Sequence, residues 1–326
     1  EFARRYGPTQ ESYDAVAAFA RARGLTVAHV SPSRLLLSVS GSAAAIEAAF
    51  AVRLGRYQAA NGRVFHAPDA DPAIPASLAG RLSGVIGLDD AAVRHPYYRR
   101  QGSLLSGTLK PAFKPLLSPF LLYPALGAFP EPNQIGTDPF TGLKALTPSD
   151  IKAAYNLDQT PLTGVGQTMG LYELDGYLPS DITTYNSSFG LTNIPLENVL
   201  VDGYSGVAGP NAVEVTLDIE VMSALAPGAS KIIVYEAPLT NAGGIDVLQK
   251  IADDNRAKQV SISWGLGENQ TDAPSLNAEN ASLMQMAMQG QSCFIASGDS
   301  GAYTDGATLS TADPASQPFA TAVGGT

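Results

Sequence analysis

The sequence predicts a doubly wound, mostly parallel α/β sheet in its larger part, preceded by a small α+β domain. Three observations carry this expectation. From residue 147 onward, short apolar runs alternate with segments of helical period, the pattern of parallel strands joined by crossover helices. Before residue 100 the order is instead helix, two strands, helix and hairpin. Between the two lie seven prolines, at 111, 115, 119, 124, 130, 132 and 139, which break any regular element. A length of 326 residues suits two domains, and 45% hydrophobic residues suffice for their cores.

The small domain is expected to begin with a helix over residues 9–23, opened by a cap-like Thr9 and ended by Gly24. Residues 25–30 and 34–41 read as strands, and 42–54 as a second helix. Residues 56–67 read as a hairpin turning at Asn61-Gly62, and 76–88 as another helical stretch. One further strand of this unit is expected upstream of Glu1. The proline-rich stretch is apolar, with LLSPFLLYPALGAF at its centre. Flexible linkers are usually polar, so this one is expected to lie on the larger domain.

The larger part opens with a helix over 147–157, capped by Thr147 with Pro148 in its first turn. Strands follow at 168–174, 198–203, 230–237, 259–265, 292–299 and 319–325. The helices between them fall at 180–190, 213–226, 243–255 and 281–290. Functional groups in such sheets collect at the carboxyl ends of the strands.

Charge divides the chain unevenly. Residues 1–100 hold 12 Arg against 8 acids, a net of +4, while residues 101–326 hold 8 Lys and Arg against 22 acids, a net of −14. The basic part is therefore expected to dock on the acidic part. No Lys/Arg cluster interleaves with aromatics, which argues against nucleic-acid binding. No run of 18 apolar residues suggests a membrane span. Cys293 is the lone cysteine and lies in an apolar run, so it reads as a small core residue. Charged residues make up 15% of the chain, below the usual value of about 25%, so acid would remove few ion pairs.

The chemistry-bearing pattern is a carboxylate pair. Glu214 and Asp218 lie four residues apart on one predicted helix and share a face. Drawn out of water together, they tend to share one proton, which makes them a candidate acid/base device. All three histidines (29, 66 and 95) lie in the small domain, so proton transfer here is expected to run through carboxyls. Glu173 and the only tryptophan, Trp264, each close a strand, and an indole N–H near a buried glutamate would satisfy both. Ser297-Gly298-Asp299-Ser300-Gly301 closes another strand. Its GDSG core resembles the nucleophile turn of chymotrypsin-like proteases, with Ser300 as nucleophile. That family needs a β-barrel and a histidine base, whereas the surroundings here are α/β.

Taken together, these segments resemble the sedolisin (kumamolisin-type) serine-carboxyl peptidases. In the small domain the resemblance rests on FARRYGPTQE, SRLLLSVSGSAAAIEAAF and IPASLAGRLSGVIGLDD. In the larger part it rests on LTPSDIKAAYNL, EVTLDIEVMSALAPGA, SISWG, SGDSGA and DPASQPFATAVGGT. It implies a subtilisin-like fold behind a ferredoxin-like activation propeptide. The divisions expected are 1–100 for the propeptide, 101–146 for the linker, and 147–326 for the front part of the catalytic domain.

The same resemblance implies a Ser-Glu-Asp triad. Glu214 would be the general base and acid, Asp218 the carboxyl that orients it, and Asp299 the oxyanion donor. Glu173 and Trp264 would extend the network, and Ser263 and Gly265 would pair with substrate backbone. The family's serine lies in a Ser-Gly-Thr-Ser motif, which these 326 residues lack. It is expected, with the ligands of the family's calcium, beyond Thr326, and no metal ligand is assigned within the chain. The expected function is the zymogen of a secreted, acid-acting endopeptidase with protein or peptide substrates. Its propeptide would dock intramolecularly, aid folding and block the cleft, with processing between about Phe129 and Thr147. The alternative is a catalytically silent homologue that binds and inhibits peptidases.

Overall fold

A computed structural model describes residues 1–97, 146–304 and 307–325. Residues 1–97 and 163–326 cluster into one compact unit and 98–162 into a second. Within the first unit, segment 1–97 forms α1 (Phe2–Arg5), α2 (Gln10–Ala22), β1 (Thr26–Val30), β2 (Leu37–Ser40), α3 (Ala43–Phe50), β3 (Leu54–Gln58), β4 (Val64–Pro68) and β5 (His95–Pro96). The Thr9 and Ser42 hydroxyls accept backbone N–H groups at the starts of α2 and α3. A small core of Ala20, Leu25, Ala49, Phe50 and Val52 holds these helices to the chain around them.

The α+β character of this segment is as expected, but its first four strands form two separate antiparallel hairpin sheets, β1-β2 and β3-β4. The helix expected over 76–88 is absent. Only a single 3-10 turn forms, at Ala76–Leu78. Gly80 and Gly87 lie beyond it at φ +74° and +82°, the left-handed region that ends helices.

The second unit's described part is α4 (Pro148–Ala154) and a 3-10 turn at Leu157–Gln159. Thr147 caps α4 with a reciprocal bond from its own backbone N–H to Asp150. The expected processing stretch falls mostly on residues outside the described ones.

Residues 163–325 build β6 (Thr168–Glu173), α5 (Pro179–Ser188), β7 (Leu196–Leu200), α6 (Ala212–Leu225), β8 (Lys231–Glu236), α7 (Asn241–Asp254), β9 (Gln259–Ile262), β10 (Trp264–Gly267), α8 (Ala273–Met288), β11 (Ser292–Ala296), β12 (Ala312–Asp313) and β13 (Thr321–Val323). Six strands form one sheet in the order β13-β11-β9-β6-β8-β7, and every pairing is parallel. The near-continuous apolar sequences of β6 and β8 reflect burial on both faces. Leu171, Ile219, Ile232, Ile233, Val234 and Ile295 are fully buried in its core. Cys293 is buried there as well.

The run 259–265 differs from its expected single strand. It splits at Ser263 into β9, inside the parallel sheet, and β10, in a separate antiparallel sheet ordered β12-β10-β5. The outer strand of that second sheet comes from residues 95–96. The contacts of segment 1–97 with α7 are also chemically unlike the charge attraction expected. Ser31 Oγ donates to Asp253 at 2.6 Å, Ser38 Oγ to Asp246 at 2.9 Å, and Gln249 Nε2 to Ser33 Oγ at 3.0 Å. Of the ion pairs among the described residues, one joins 1–97 to 163–326, and it is buried: Arg94 with Glu279.

Candidate active site

The carboxyl ends of β6 and β9, the first turns of α6 and the turn after β11 converge on one group of acids. Asp175, just past β6, sets the entry to α6. Its carboxylate accepts the N–H groups of Gly176, Gly209 and Asn211 at 2.7 Å each, and the Tyr204 hydroxyl at 3.1 Å. This fixes the loop that delivers Glu214 into the first turn of α6, with Asp218 one turn later on the same face.

Glu214 is 1% exposed and Glu173 is fully buried. Asp218 is half-buried as a residue, yet its Oδ2 is sealed from solvent. Ser263 Oγ donates to Asp218 Oδ1 at 3.0 Å, and Trp264 Nε1 donates to Glu173 Oε2 at 2.8 Å. The indole–glutamate contact, which sequence could suggest only as a chemical match, is therefore present. One oxygen of each carboxyl (Glu173 Oε1, Glu214 Oε2 and Asp218 Oδ2) is buried with no hydrogen-bond partner among the described residues.

These surroundings oppose ionisation. Burial, then the charges of Asp218 and Asp299, push Glu214 up to about 8 against a small lowering by Ser263. Burial pushes Asp218 up to about 6, with hydrogen bonds from Ser263 and Glu173 acting the other way. Glu173 is driven well above its ordinary range by burial and then by Asp218. The three carboxyls act as one proton-sharing group. At neutral pH in this arrangement Glu214 holds a proton.

Asp299 lies on the exposed turn after β11, where its charge reaches both Glu214 and His95. His95, from the amino-terminal segment, is thus brought within electrostatic reach of Asp299. Antiparallel pairing of β5 with β10 sets His95 opposite Gly265 and Pro96 opposite Trp264. Tyr97 N–H then donates to Ser263 O at 2.8 Å. The His95 and Tyr97 rings meet edge-on at 5.1 Å. Ser263 and Gly265 do pair with an extended backbone, and here it is the chain's own.

Sequence reasoning missed four residues. Asp175 follows a strand, and no sequence pattern marks the long-range bonds it accepts. Glu236, at the end of β8 beside Glu173, is fully buried with both oxygens unpartnered among the described residues, and burial and then Asp175 push it up to about 7. Its signal was a glutamate closing an otherwise apolar strand. Arg94 and Glu279 form a buried ion pair whose members stand 185 positions apart, so no local pattern could reveal it.

Residues 1–91 match the family model "Pro-kumamolisin, activation domain". The whole chain aligns with kumamolisin from Bacillus sp. (strain MN-32) at 34% identity over 337 residues, covering 55% of that protein. The chain belongs to the sedolisin–kumamolisin family. Other relatives are sedolisin from Pseudomonas sp. (strain 101), at 29% identity with 53% of it covered, and xanthomonalisin from Xanthomonas sp. (strain T-22), at 28% with 41% covered. All three alignments take in 100% of this chain, which spans about half the length of these curated relatives. Among solved structures, Pseudomonas sedolisin complexed with pseudo-iodotyrostatin is 26% identical, with 52% of this chain and 51% of that one covered at a TM-score of 0.49. Within the family frame, the six-stranded parallel sheet is the expected subtilisin-like α/β arrangement, behind an N-terminal α+β activation segment.

Proposed function

We propose that this chain is the propeptide and acid/base half of a secreted, acid-acting serine-carboxyl endopeptidase zymogen. Residues 1–100 act as the propeptide, 101–146 as the linker and 147–326 as the front of the catalytic domain. The observation that carries the reading is the seating of His95–Tyr97 along Ser263–Gly265, beside the Glu214–Asp218–Glu173 group. An extended backbone that gives its N–H to Ser263 O occupies the place of a peptide substrate, so the propeptide blocks the cleft it lies in.

Glu214 is the general base and acid in this reading, positioned by Asp218, while Trp264 and Glu173 brace the pair from behind. Ser263 shares its hydroxyl with Asp218 and its carbonyl with the bound backbone, which couples substrate position to the acid pair. Asp299 donates to the oxyanion while it holds a proton. No serine of these 326 residues is assigned the nucleophile's role. Because Glu214 keeps its proton up to about pH 8 while the cleft is covered, it accepts no proton from a serine in that state. Departure of the strand rehydrates the base, which allows it to work in acid. Calcium, implied by the resemblance, finds no fit among the described residues. Among the described residues there is no group of three or more His, Cys, Asp or Glu that could hold a metal, and no step is routed through one.

The test is cleavage of acid-denatured protein by the complete polypeptide, compared with Glu214→Gln. The variant is expected to lose at least about a hundredfold in kcat, the usual weight of a general base. Full activity in the variant would refute the carboxyl-base reading. Loss of activity on Ser300→Ala with a neutral pH optimum would favour the chymotrypsin-like reading instead.

A further inference from the structure

Arg94 precedes the cleft strand by one residue, and its guanidinium does not face solvent. It is 2% exposed, and Nη2 donates to Glu279 Oε1 on α8, itself 1% exposed. No other Arg or Lys is buried among the described residues. The walls around it belong to 163–325: Glu279, the backbone of Gly244 on α7, the Tyr172 hydroxyl of β6 and the charge of Asp313 on β12. Burial disfavours the charge on Arg94, and Glu279, then Tyr172 and Asp313, more than offset it.

We propose that Glu279, with Asp313 and the bare backbone of Gly244, forms a subsite that selects a guanidinium or ammonium side chain three residues ahead of the one seated at Tyr97. This rests on the peptidase reading above. The strand runs from His95, opposite Gly265, to Tyr97, bonded to Ser263, and Ser263 in turn touches Asp218. Tyr97 is thus the strand residue that reaches Ser263 beside the acid pair, and Arg94 stands three residues before it.

Charge and shape both select for a flat cation. Glu279 Oε1 accepts directly from Arg94 Nη2, and the charge of Asp313 adds to the attraction on the guanidinium. A neutral side chain in its place forfeits the buried ion pair with Glu279 and is penalised. A Cβ on Gly244 would stand 2.6 Å from Arg94 Nε and 2.6 Å from the Tyr172 hydroxyl, so glycine is what lets the group lie against the helix. All four walls sit on regular elements of the larger segment, so they stay in place when the propeptide leaves.

The competing account makes Arg94 a docking pin for the propeptide alone. The mature enzyme then shows no preference at this position. The experiment compares quenched peptides that differ only there, carrying Arg, Lys, citrulline or Leu, cleaved by the complete, processed protein at acidic pH. Arg and Lys are expected to exceed citrulline by about tenfold or more in kcat/KM. Glu279→Gln should bring Arg to within about twofold of citrulline. Equal rates for Arg and citrulline with the wild-type enzyme overturn the subsite, whether or not the variant folds. An Arg preference that survives in Glu279→Gln does so too. Failure to cleave any of the four peptides would instead overturn the peptidase reading itself, and the subsite with it.

Discussion

Glu214 should make the chain progressively less stable as pH rises from mildly acidic to neutral, and Glu214→Gln should remove that loss. The ordinary value for a glutamate is 4.5, and the folded value is about 8. Below both values the carboxyl is protonated whether the chain is folded or not, and it contributes no pH dependence. Between them the unfolded chain releases the proton that the folded chain keeps. The unfolded state then binds fewer protons, so stability falls with rising pH. At about 1.4 kcal/mol per pH unit, the loss is about 1.5 kcal/mol at pH 5.5 and about 3 kcal/mol at pH 7.

Gln at 214 mimics the protonated form and carries no such penalty. The assay is urea denaturation of wild type and Glu214→Gln at a series of pH values from about 4.5 to about 7.5. The difference between the two should start near zero and grow steadily to about 3 kcal/mol at pH 7 and about 4 kcal/mol at pH 7.5 in favour of the variant. Groups remote from Glu214 change both proteins alike and drop out of that difference. Glu197, for instance, is held at about 2, first by its hydrogen bonds from Arg256 and Lys231, and its contribution is lost toward low pH in both. Stability curves that run parallel across the window would show that Glu214 ionises normally in the folded chain, and the argument from burial would fail.

Two further outcomes follow from the geometry. Asp175→Ala removes the acceptor of three backbone N–H groups and the Tyr204 hydroxyl, and is expected to cost about 3 kcal/mol in the same denaturation assay. A variant as stable as wild type would mean that the loop before α6 is held by other contacts. Gly265→Ala places a Cβ 2.4 Å from Asp313 O and 2.6 Å from the Tyr97 hydroxyl, so hydrogen exchange at Tyr97 N–H, which is bonded to Ser263 O, should quicken as β5 lifts. Unchanged protection of that amide would show the strand tolerates the added carbon.

Much of the fold was legible because it rests on local rules. Thr9, Ser42 and Thr147 announce helix starts through short-range capping bonds. The alternation of apolar runs and helical segments implies a parallel sheet, because crossover connections allow little else. The failure at 76–88 is equally physical. Apolar spacing suggested a helix, but Gly80 and Gly87 take left-handed conformations that end one. The split at Ser263 was invisible because a strand that changes sheets keeps its strand sequence.

The sequence by itself determined the chemistry available: a pair of carboxyls at helical spacing, an indole and a glutamate at strand ends, and a turn carrying Asp299. These are properties of residue type and period, which are local. Only the tertiary structure decided how those groups behave. Burial holds a proton on Glu214, Asp175 anchors the loop that positions it, and Arg94 meets Glu279 across 185 positions of chain. Desolvation and long-range pairing depend on what the folded chain brings together, and no window of sequence contains that information.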